Sequence, residues 1–422
     1  MPFRWPWSKE ATAPQAAVQS SSGGVLITTA ADLDAYLKDG GTTRSGVGVT
    51  PERALAEPTV FGCVRLITGA VATMALDINR RVDERTRVAA SDTKLWQLMK
   101  RRPNRWQKPS QFRRMLQAHV LLRGNAYCLI VRSRGEIIEL IPLHPDRVNT
   151  KQLDDLSIVH EYTRKNGGTE TFRQSEIFHL FGLTLDGIKG VTPITYARET
   201  IGLSLAQQDA GATTFKNGMR AAGFLSHKEK LSPEARANLK ASLDEYRAGG
   251  DSEGKFLILE EGMEPKELSL SAADAQWIES RRFTRTDIAM FFGVPPFMIG
   301  DTEKSTSWGS GIEQQKDGFV TFTLDDHLTM WEEGITIDLN SDPAIYARFN
   351  RNSLVKGNIK DRWDAYTKAL QWGVYSPNKV LELEDENPRE GGDIYYPPPN
   401  MAGGDKTSST SKDASNDNPQ DA

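Results

Sequence analysis

Cysteine is almost absent. Cys63 and Cys128 are the only two among 422 residues. Both lie in apolar stretches, so two buried thiols are expected rather than a disulfide framework or a zinc site. Long hydrophobic runs are absent too, and the mean hydropathy of −0.49 excludes a membrane-spanning helix. An excess of charge is lacking: 52 Lys and Arg face 56 Asp and Glu, a net charge of −4. Such a chain does not hold a polyanion by bulk charge, so any contact with nucleic acid has to be local. Met1–Lys9 is aromatic and basic but has no apolar core, so it does not read as a secretory signal. Synthesis in a reducing cytoplasm is the expectation.

The motifs of common enzymes are missing as well. There is no G-x-x-x-x-G-K-[ST], no G-x-G-x-x-G after a strand, no H-E-x-x-H and no G-x-S-x-G. The six histidines, His119, His144, His160, His179, His227 and His327, show no ligand spacing on one element. Each reads as an ordinary core or surface residue. The acid pairs Asp154-Asp155 and Asp325-Asp326 are adjacent in sequence, and helix neighbours point apart, so solvated faces are expected. Neither a cofactor nor a metal is expected, nor a catalytic residue.

What is present is a chain that can fold: 38% of residues are hydrophobic and 26% charged. At ~150 residues per domain, roughly three domains are expected. Residues 1–24 and 401–422 read as disordered arms, poor in residues that could bury surface. Residues 25–191 read as an α+β block with an antiparallel sheet. Thr50-Pro51 starts a helix, with a kink at Pro58 and apolar positions Val60, Cys63, Val64, Ile67, Val71 and Met74. A second helix starts at Ser110 and stops at Gly124-Asn125. Strands are expected at Ala126–Arg132, Glu136–Ile141, Ile158–Arg164 and Ile177–Leu180.

Thr192-Pro193 then starts a helix that Asn217-Gly218 ends. At 1.5 Å per residue it spans roughly 36 Å. Ile194, Ala197, Ile201, Leu205 and Ala212 form its apolar stripe, while Gly202, Ser204, Ala206, Ala210 and Gly211 keep the other faces small. Small faces suit a tightly packed core helix, or a helix packed against copies of itself. Residues 219–270 form an insertion with strands at Ala222–Leu225, Phe256–Leu259 and Lys266–Leu270 and a helix after Ser232-Pro233. It is too small to stand alone. A helix at Ala272–Phe292 ends in Gly293-Val294-Pro295-Pro296. A polar loop, Gly300–Gly311, leads to another long helix at Ile312–Glu333. Residues 358–400 hold a helix with Trp363, Tyr366, Ala369 and Leu370 on one face, and a short helix after Ser376-Pro377. From Asp301 to Asp338 only Lys304 and Lys316 face nine acids. Such a stretch suits an acidic helix in solvent, or a surface that faces a polyanion without holding it.

This order of elements resembles the portal proteins of tailed bacteriophages, in the compact form of phages with long non-contractile tails. The carriers are D-G-I-K-G-V-T-P-I (Asp186–Ile194), F-K-N-G (Phe215–Gly218), Q-W-I-E-S-R-R-F (Gln276–Phe283) and I-A-M-F-F-G-V-P-P-F-M-I-G (Ile288–Gly300), with W-G-V-Y-S-P-N-K-V-L (Trp372–Leu381) and N-P-R-E-G-G-D (Asn387–Asp393) near the C-terminus. The resemblance implies an α+β portal fold that assembles as a cyclic ring, usually of twelve subunits, at one capsid vertex of the virion. It implies a wing (25–191), a first stem helix (192–218), a clip (219–270), a second stem helix (271–294), a tunnel-loop region (295–311), a long channel-side helix returning to the wing (312–357) and a crown (358–400).

It also implies a conduit for double-stranded DNA, without sequence specificity. Its expected partners are the terminase large subunit, the major capsid protein and scaffold, and head–tail connector or neck proteins. Asp301, Glu303, Lys304, Ser305, Thr306, Ser307 and Trp308 become candidates for facing DNA. Glu313, Asp317 and Asp325 become channel-side acids. Lys228, Lys230, Glu234, Arg236 and Lys240 become candidates for docking the motor. The competing readings are a capsid or tail protein without a channel, and a DNA-processing enzyme.

Overall fold

The computed structural model describes residues 43–216, 224–226, 233–234, 237, 264–266, 271–301, 315–351, 359–384 and 386–397. The expected strand at Phe256–Leu259, both terminal arms, the expected loop Gly300–Gly311 beyond Asp301, the start of the expected helix at Ile312 and nearly all of the helix expected after Ser232 lie outside these residues. The described residues divide into two compact units, one of residues 43–73 and 78–347, the other of residues 74–77 and 348–397.

In the first unit, α1 (Pro51–Ala54) starts where Thr50 Oγ1 accepts from the Arg53 N–H. The break before α2 (Pro58–Thr73) is set by Glu57. Its buried carboxylate accepts from the Val60 N–H at 2.8 Å, from Thr59 Oγ1 and from Ser204 Oγ of the long helix α5 (Pro193–Lys216). One carboxylate therefore caps α2 and ties it to α5. The apolar stripe expected along α2 is buried as read, Cys63 included. Burial pushes the Cys63 thiol up to about 12 and raises Cys128 as well, so both are inert free thiols.

After β1 (Leu76–Arg81) and β2 (Arg87–Ala89), an antiparallel pair, come α3 (Lys94–Lys100) and α4 (Pro109–Arg123). β3 (Asn125–Ser133) is the centre of an antiparallel sheet in the order β4-β3-β8, with β4 at Glu136–Leu143 and β8 at Ile177–Phe181. A second antiparallel sheet runs β5-β6-β7, through Val148–Gln152, Ile158–Thr163 and Thr169–Arg173. All four strands expected in this block are present within two residues of their ends. The antiparallel pairing is as expected too.

Between the two sheets the histidines meet, although none shares an element with another. Tyr127 stacks on His179 at 4.3 Å, and His160 meets His179 edge-on at 5.5 Å. Tyr127 Oη, Thr150 Oγ1 and His160 Nδ1 form a buried hydrogen-bonded chain with spacings of 2.9 and 3.0 Å. His179 Nε2 lies 3.0 Å from Asn125 Oδ1. Over β8 lies α7 (Asp325–Asp338), whose Trp331 Nε1 donates to Gln117 Oε1 at 2.9 Å. Gly334 permits this approach: a Cβ there would lie 2.8 Å from Leu180 Cδ2.

The long helices follow. α5 packs against α6 (Ser271–Phe291), with Gln207 Nε2 donating to Ser280 Oγ at 3.0 Å. The small face of α5 is used within the chain: a Cβ on Gly202 would meet Thr43 at 2.6 Å. Ala212, expected in the buried stripe, is exposed, and Gly211 is buried in its place. In the insertion, β9 (Phe224–Ser226) pairs antiparallel with β10 (Glu264–Lys266), overlapping the expected strands at 224–225 and at 266, the rest of which lie outside the described residues.

In the second unit, α8 (Ile359–Gln371) and α9 (Pro377–Leu383) are joined through Glu384, which accepts from Tyr366 Oη at 2.7 Å and is ion-paired with Arg362 at 3.1 Å. Ser376 Oγ accepts from the Lys379 N–H, the expected cap. Asn378 holds the following turn by donating to Arg389 O and accepting from the Arg389 N–H. W-G-V-Y-S-P-N-K-V-L and N-P-R-E-G-G-D thus form one structure.

The buried titratable groups give the first unit a pH dependence. Burial pulls His119 and His160 down to about 4 and His179 to about 3, from 6.5. Between pH 6.5 and these values the unfolded chain binds more protons than the folded one, so stability falls as pH falls. Asp338 opposes this, because burial pushes its carboxyl up to about 6 from 3.8. Its contribution is fully present below 3.8 and is lost as pH rises through 6. Three histidines outweigh one aspartate, so the urea midpoint is expected to drop from pH 7 to pH 5. Asp338→Asn should raise the midpoint at pH 7 and steepen that drop. A flat profile would contradict the burial of the histidines.

Candidate functional site

The segments around the polar loop are the part of the fold that the sequence marks for function. Two residues past the end of α6 stands Gly293, whose φ of +65° lies in the left-handed region. A turn of 3₁₀ helix, Pro296–Ile299, leads to Gly300 and Asp301. Asp301, a candidate for facing DNA, is instead paired with Arg282 of α6 at 3.1 Å, and its side chain is 12% exposed. The pair joins the Q-W-I-E-S-R-R-F motif to the first residue of the loop and fixes where the loop leaves the fold. Glu303, Lys304, Ser305, Thr306, Ser307, Trp308 and Glu313 lie outside the described residues.

The chain re-enters at residue 315 as a helix, but not as one continuous α-helix. Phe319–Leu324 forms a π segment with i→i+5 bonding. The buried residues along the helix are Phe319, Leu324, Leu328, Trp331, Ile335 and Leu339. The steps are three or four residues everywhere except from Phe319 to Leu324, where the step is five. One residue has been absorbed by the π turn. An α-helix would have turned position 322 or 323 toward the core. Here Phe322 is 83% exposed. Thr323 Oγ1 donates to Gly293 O at 2.6 Å. A Cβ on Gly293 would lie 2.7 Å from that same oxygen.

The π turn decides where the acids point. At about 100° per α residue, Asp317 and Asp326, nine positions apart, would lie on opposite sides of the helix. With one residue absorbed, Asp317, Asp326 and Glu333 fall within about a quarter turn of one another, opposite the buried stripe. All three are exposed. By the same count Asp325 lies beside Asp317, but it is half-buried and engaged by another group. Asp338 is turned inward, accepting from the His179 N–H. The acidity of this stretch is therefore sorted among the described residues: Asp317, Asp326 and Glu333 stand in solvent, while Asp301, Asp325, Glu332 and Asp338 are engaged.

Of the candidates for docking a motor, Glu234 is exposed on helical backbone, while Lys228, Lys230, Arg236 and Lys240 lie outside the described residues. No trio of His, Cys, Asp or Glu among the described residues has metal-binding geometry. An open groove of about 1210 Å³ beside α7 is lined by Arg132, Arg173, Asp92, Asp155 and Ile337, a mixture without convergent chemistry. Sequence reasoning missed Arg282, Gly293 as an anchor, and Thr323. The glycine before Val-Pro-Pro was the one visible signal.

Long helices joined to an α+β domain of antiparallel sheets, together with an acidic helix broken by a π turn, define an architectural class, and comparison with known proteins identifies it. The family model described as "Phage portal protein" matches residues 58–385. The chain is 34% identical over 354 residues to the portal protein of Enterobacteria phage HK97, covering 82% of each chain. It is 31% identical over 368 residues to the probable portal protein of Streptomyces phage phiC31, covering 83% of this chain and 79% of that one. In fold it is similar to a crystal structure of an HK97-family phage portal protein from Corynebacterium diphtheriae, with a TM-score of 0.52, 21% identity and coverage of 75% and 98%. It is also similar to a chain in the neck of an empty gene transfer agent particle, with a TM-score of 0.58, 23% identity and coverage of 80% and 93%. The chain belongs to the phage portal protein family and is a structural component of a virion.

The Gly293 junction is directly testable. Gly293→Ala places a methyl group into Thr323 on a left-handed backbone, and should cost about 1–2 kcal/mol for the backbone alone. Thr323→Ser, which keeps the hydroxyl, should be nearly neutral. Urea unfolding of the purified protein reads both. A neutral Gly293→Ala would mean that the junction does not bind the two segments.

Proposed function

We propose that copies of this chain form a ring, of twelve subunits, around a channel for double-stranded DNA at one capsid vertex. The observation that carries this reading is the row Asp317, Asp326 and Glu333, brought to one side of the helix behind the loop by a π turn. A polyanion slides past like charge without releasing counterions, whereas a basic wall gains affinity from their release and holds the strand. The fold similarity to a chain in the neck of a gene transfer agent particle computed with C12 symmetry supports a ring of this order.

In this reading α5 and α6 form the stem and residues 219–270 the clip. The clip offers Lys228, Lys230, Glu234, Arg236 and Lys240 to the terminase large subunit. The loop runs toward the axis, with Lys304 facing phosphate and Trp308 at the constriction. Asp301 and Arg282 hold its base. The outer domain meets the major capsid protein and scaffold, and the assembled ring seats the neck proteins. The role is mechanical, with no reaction catalysed by this chain. It is synthesised in the host cytoplasm before assembly.

DNA packaging into proheads built with variant portals tests the conduit. Asp317→Lys with Asp326→Lys and Glu333→Lys should slow ATP-driven DNA uptake, and the deficit should grow as salt is lowered, because exposed charges are less screened. The rings themselves should assemble, since the three side chains are in solvent. Uptake equal to wild type at every salt concentration would place the acidic row away from the DNA.

A further inference from the structure

The connection between α3 and α4 carries a charge pattern opposite to that of the acidic helix. Lys100, Arg101, Arg102, Arg105, Lys108 and Arg114 are all exposed, and no acid occurs between residues 100 and 114. Trp106, 61% exposed, stands in the middle of this group. Glu139 of β4 reaches this group, accepting from the Arg105 N–H at 2.9 Å and from Arg105 Nε at 3.3 Å. That bond leaves the Arg105 side chain 85% exposed.

The connection is built, not loose. Asn104 is buried and accepts from the Trp106 and Gln107 N–H groups while donating to Leu140 O at 3.1 Å. Pro103 O accepts from the Leu140 N–H at 2.9 Å, and Arg102 Nη2 donates to Arg105 O at 3.2 Å. β4 thus fixes the turn from beneath, and the cations and the indole are held on its outer side. An exposed indole between guanidinium groups has no role in a core. An exposed aromatic face held among exposed cations offers stacking and phosphate contact from one surface.

We propose that residues 100–114 form a second nucleic-acid contact, separate from the channel. Its cations would bind phosphates and Trp106 would stack on a base or sugar face. Phosphate contacts supply affinity without sequence preference, and aromatic stacking adds to it wherever bases are unpaired. An acidic protein segment would use the cations but has no planar group for Trp106, so nucleic acid is the occupant that uses every exposed feature. The net charge of −4 hides this site, because the patch is local. The inference does not depend on ring assembly, since all its residues lie in one unit of one chain.

Fluorescence anisotropy with a short labelled DNA of mixed sequence, as single strand and as duplex, tests it on the full-length protein across a salt series. The triple variant Arg101→Gln, Lys108→Gln, Arg114→Gln should weaken binding of both forms by about tenfold or more, and reduce the slope of log affinity against log salt by about 2–3. Trp106→Ala should weaken single-strand binding by about tenfold and leave the duplex nearly unchanged. Removing three cations elsewhere in the same unit, Arg85→Gln, Arg87→Gln and Lys165→Gln, is the control and should have little effect. Thermal melts establish that each variant is folded. Equal losses in the control triple would reduce the patch to bulk electrostatics and overturn the proposal. Displacement of the DNA by polyglutamate at matched ionic strength, with no effect of Trp106→Ala, would also overturn it in favour of a protein-docking surface.

Discussion

Two backbones pass each other at Gly124 and Gly190 at a distance no side chain could tolerate, and the entry to the long helices depends on that crossing. A Cβ on Gly124 would lie 2.3 Å from Gly190 O, and one on Gly190 would lie 2.2 Å from Gly124 O. Gly124 also ends α4 with φ of +76°. Asn125 completes the crossing as a backbone would, donating to Gly190 O at 2.8 Å and accepting from its N–H at 2.9 Å. The same oxygen meets His179, so the crossing joins α4, β3, β8 and the start of α5. Two residues later Thr192 Oγ1 donates to Leu121 O at 2.7 Å, and α5 begins. The direction in which α5 leaves the α/β domain is set here.

From that fixed origin, α5 and α6 run together, and a second constrained glycine follows α6. Gly293 meets the π segment through Thr323, and Arg282 meets Asp301. The described backbone is therefore anchored at Asp301, before residues 302–314, and at Thr323, after them. The π turn between that loop and α7 keeps two stripes in phase: the buried stripe through Trp331 and the carboxylate row opposite it. In a conduit, this phase is what turns the carboxylates to one side while the core stays closed.

Much of this was legible in sequence, where hydrophobic period and cap residues agree. α1, α5 and α9 begin at the hydroxyl–proline signals read in the sequence, and α2 and α5 keep the apolar spacing read for them, Ala212 excepted. The four expected strands alternate clearly. β5 and β7 were missed because polar residues hold the buried positions or few are buried: Thr150 is enclosed through its bonds to Tyr127 and His160, and Phe172 is the one apolar residue of β7. α3 was missed because seven residues are too short for a period to declare itself. The π turn was not legible, since F-V-T-F-T-L offers an α spacing of its own, Phe319 to Phe322. The pairing of Arg282 with Asp301 spans nineteen positions across a turn that no local rule predicts. The histidine cluster was hidden for the same reason: its members come from separate strands that only the sheet packing brings together.

The central claim is that the carboxylate row on the helix behind the loop faces a channel shared by many copies of this chain. A single-particle reconstruction of the purified full-length protein tests it most directly. The account predicts a closed ring with an axial opening wide enough for duplex DNA and with Asp317, Asp326 and Glu333 of every subunit lining it. A particle without an axial opening, or a ring in which this row faces the outside or is buried between subunits, would contradict it.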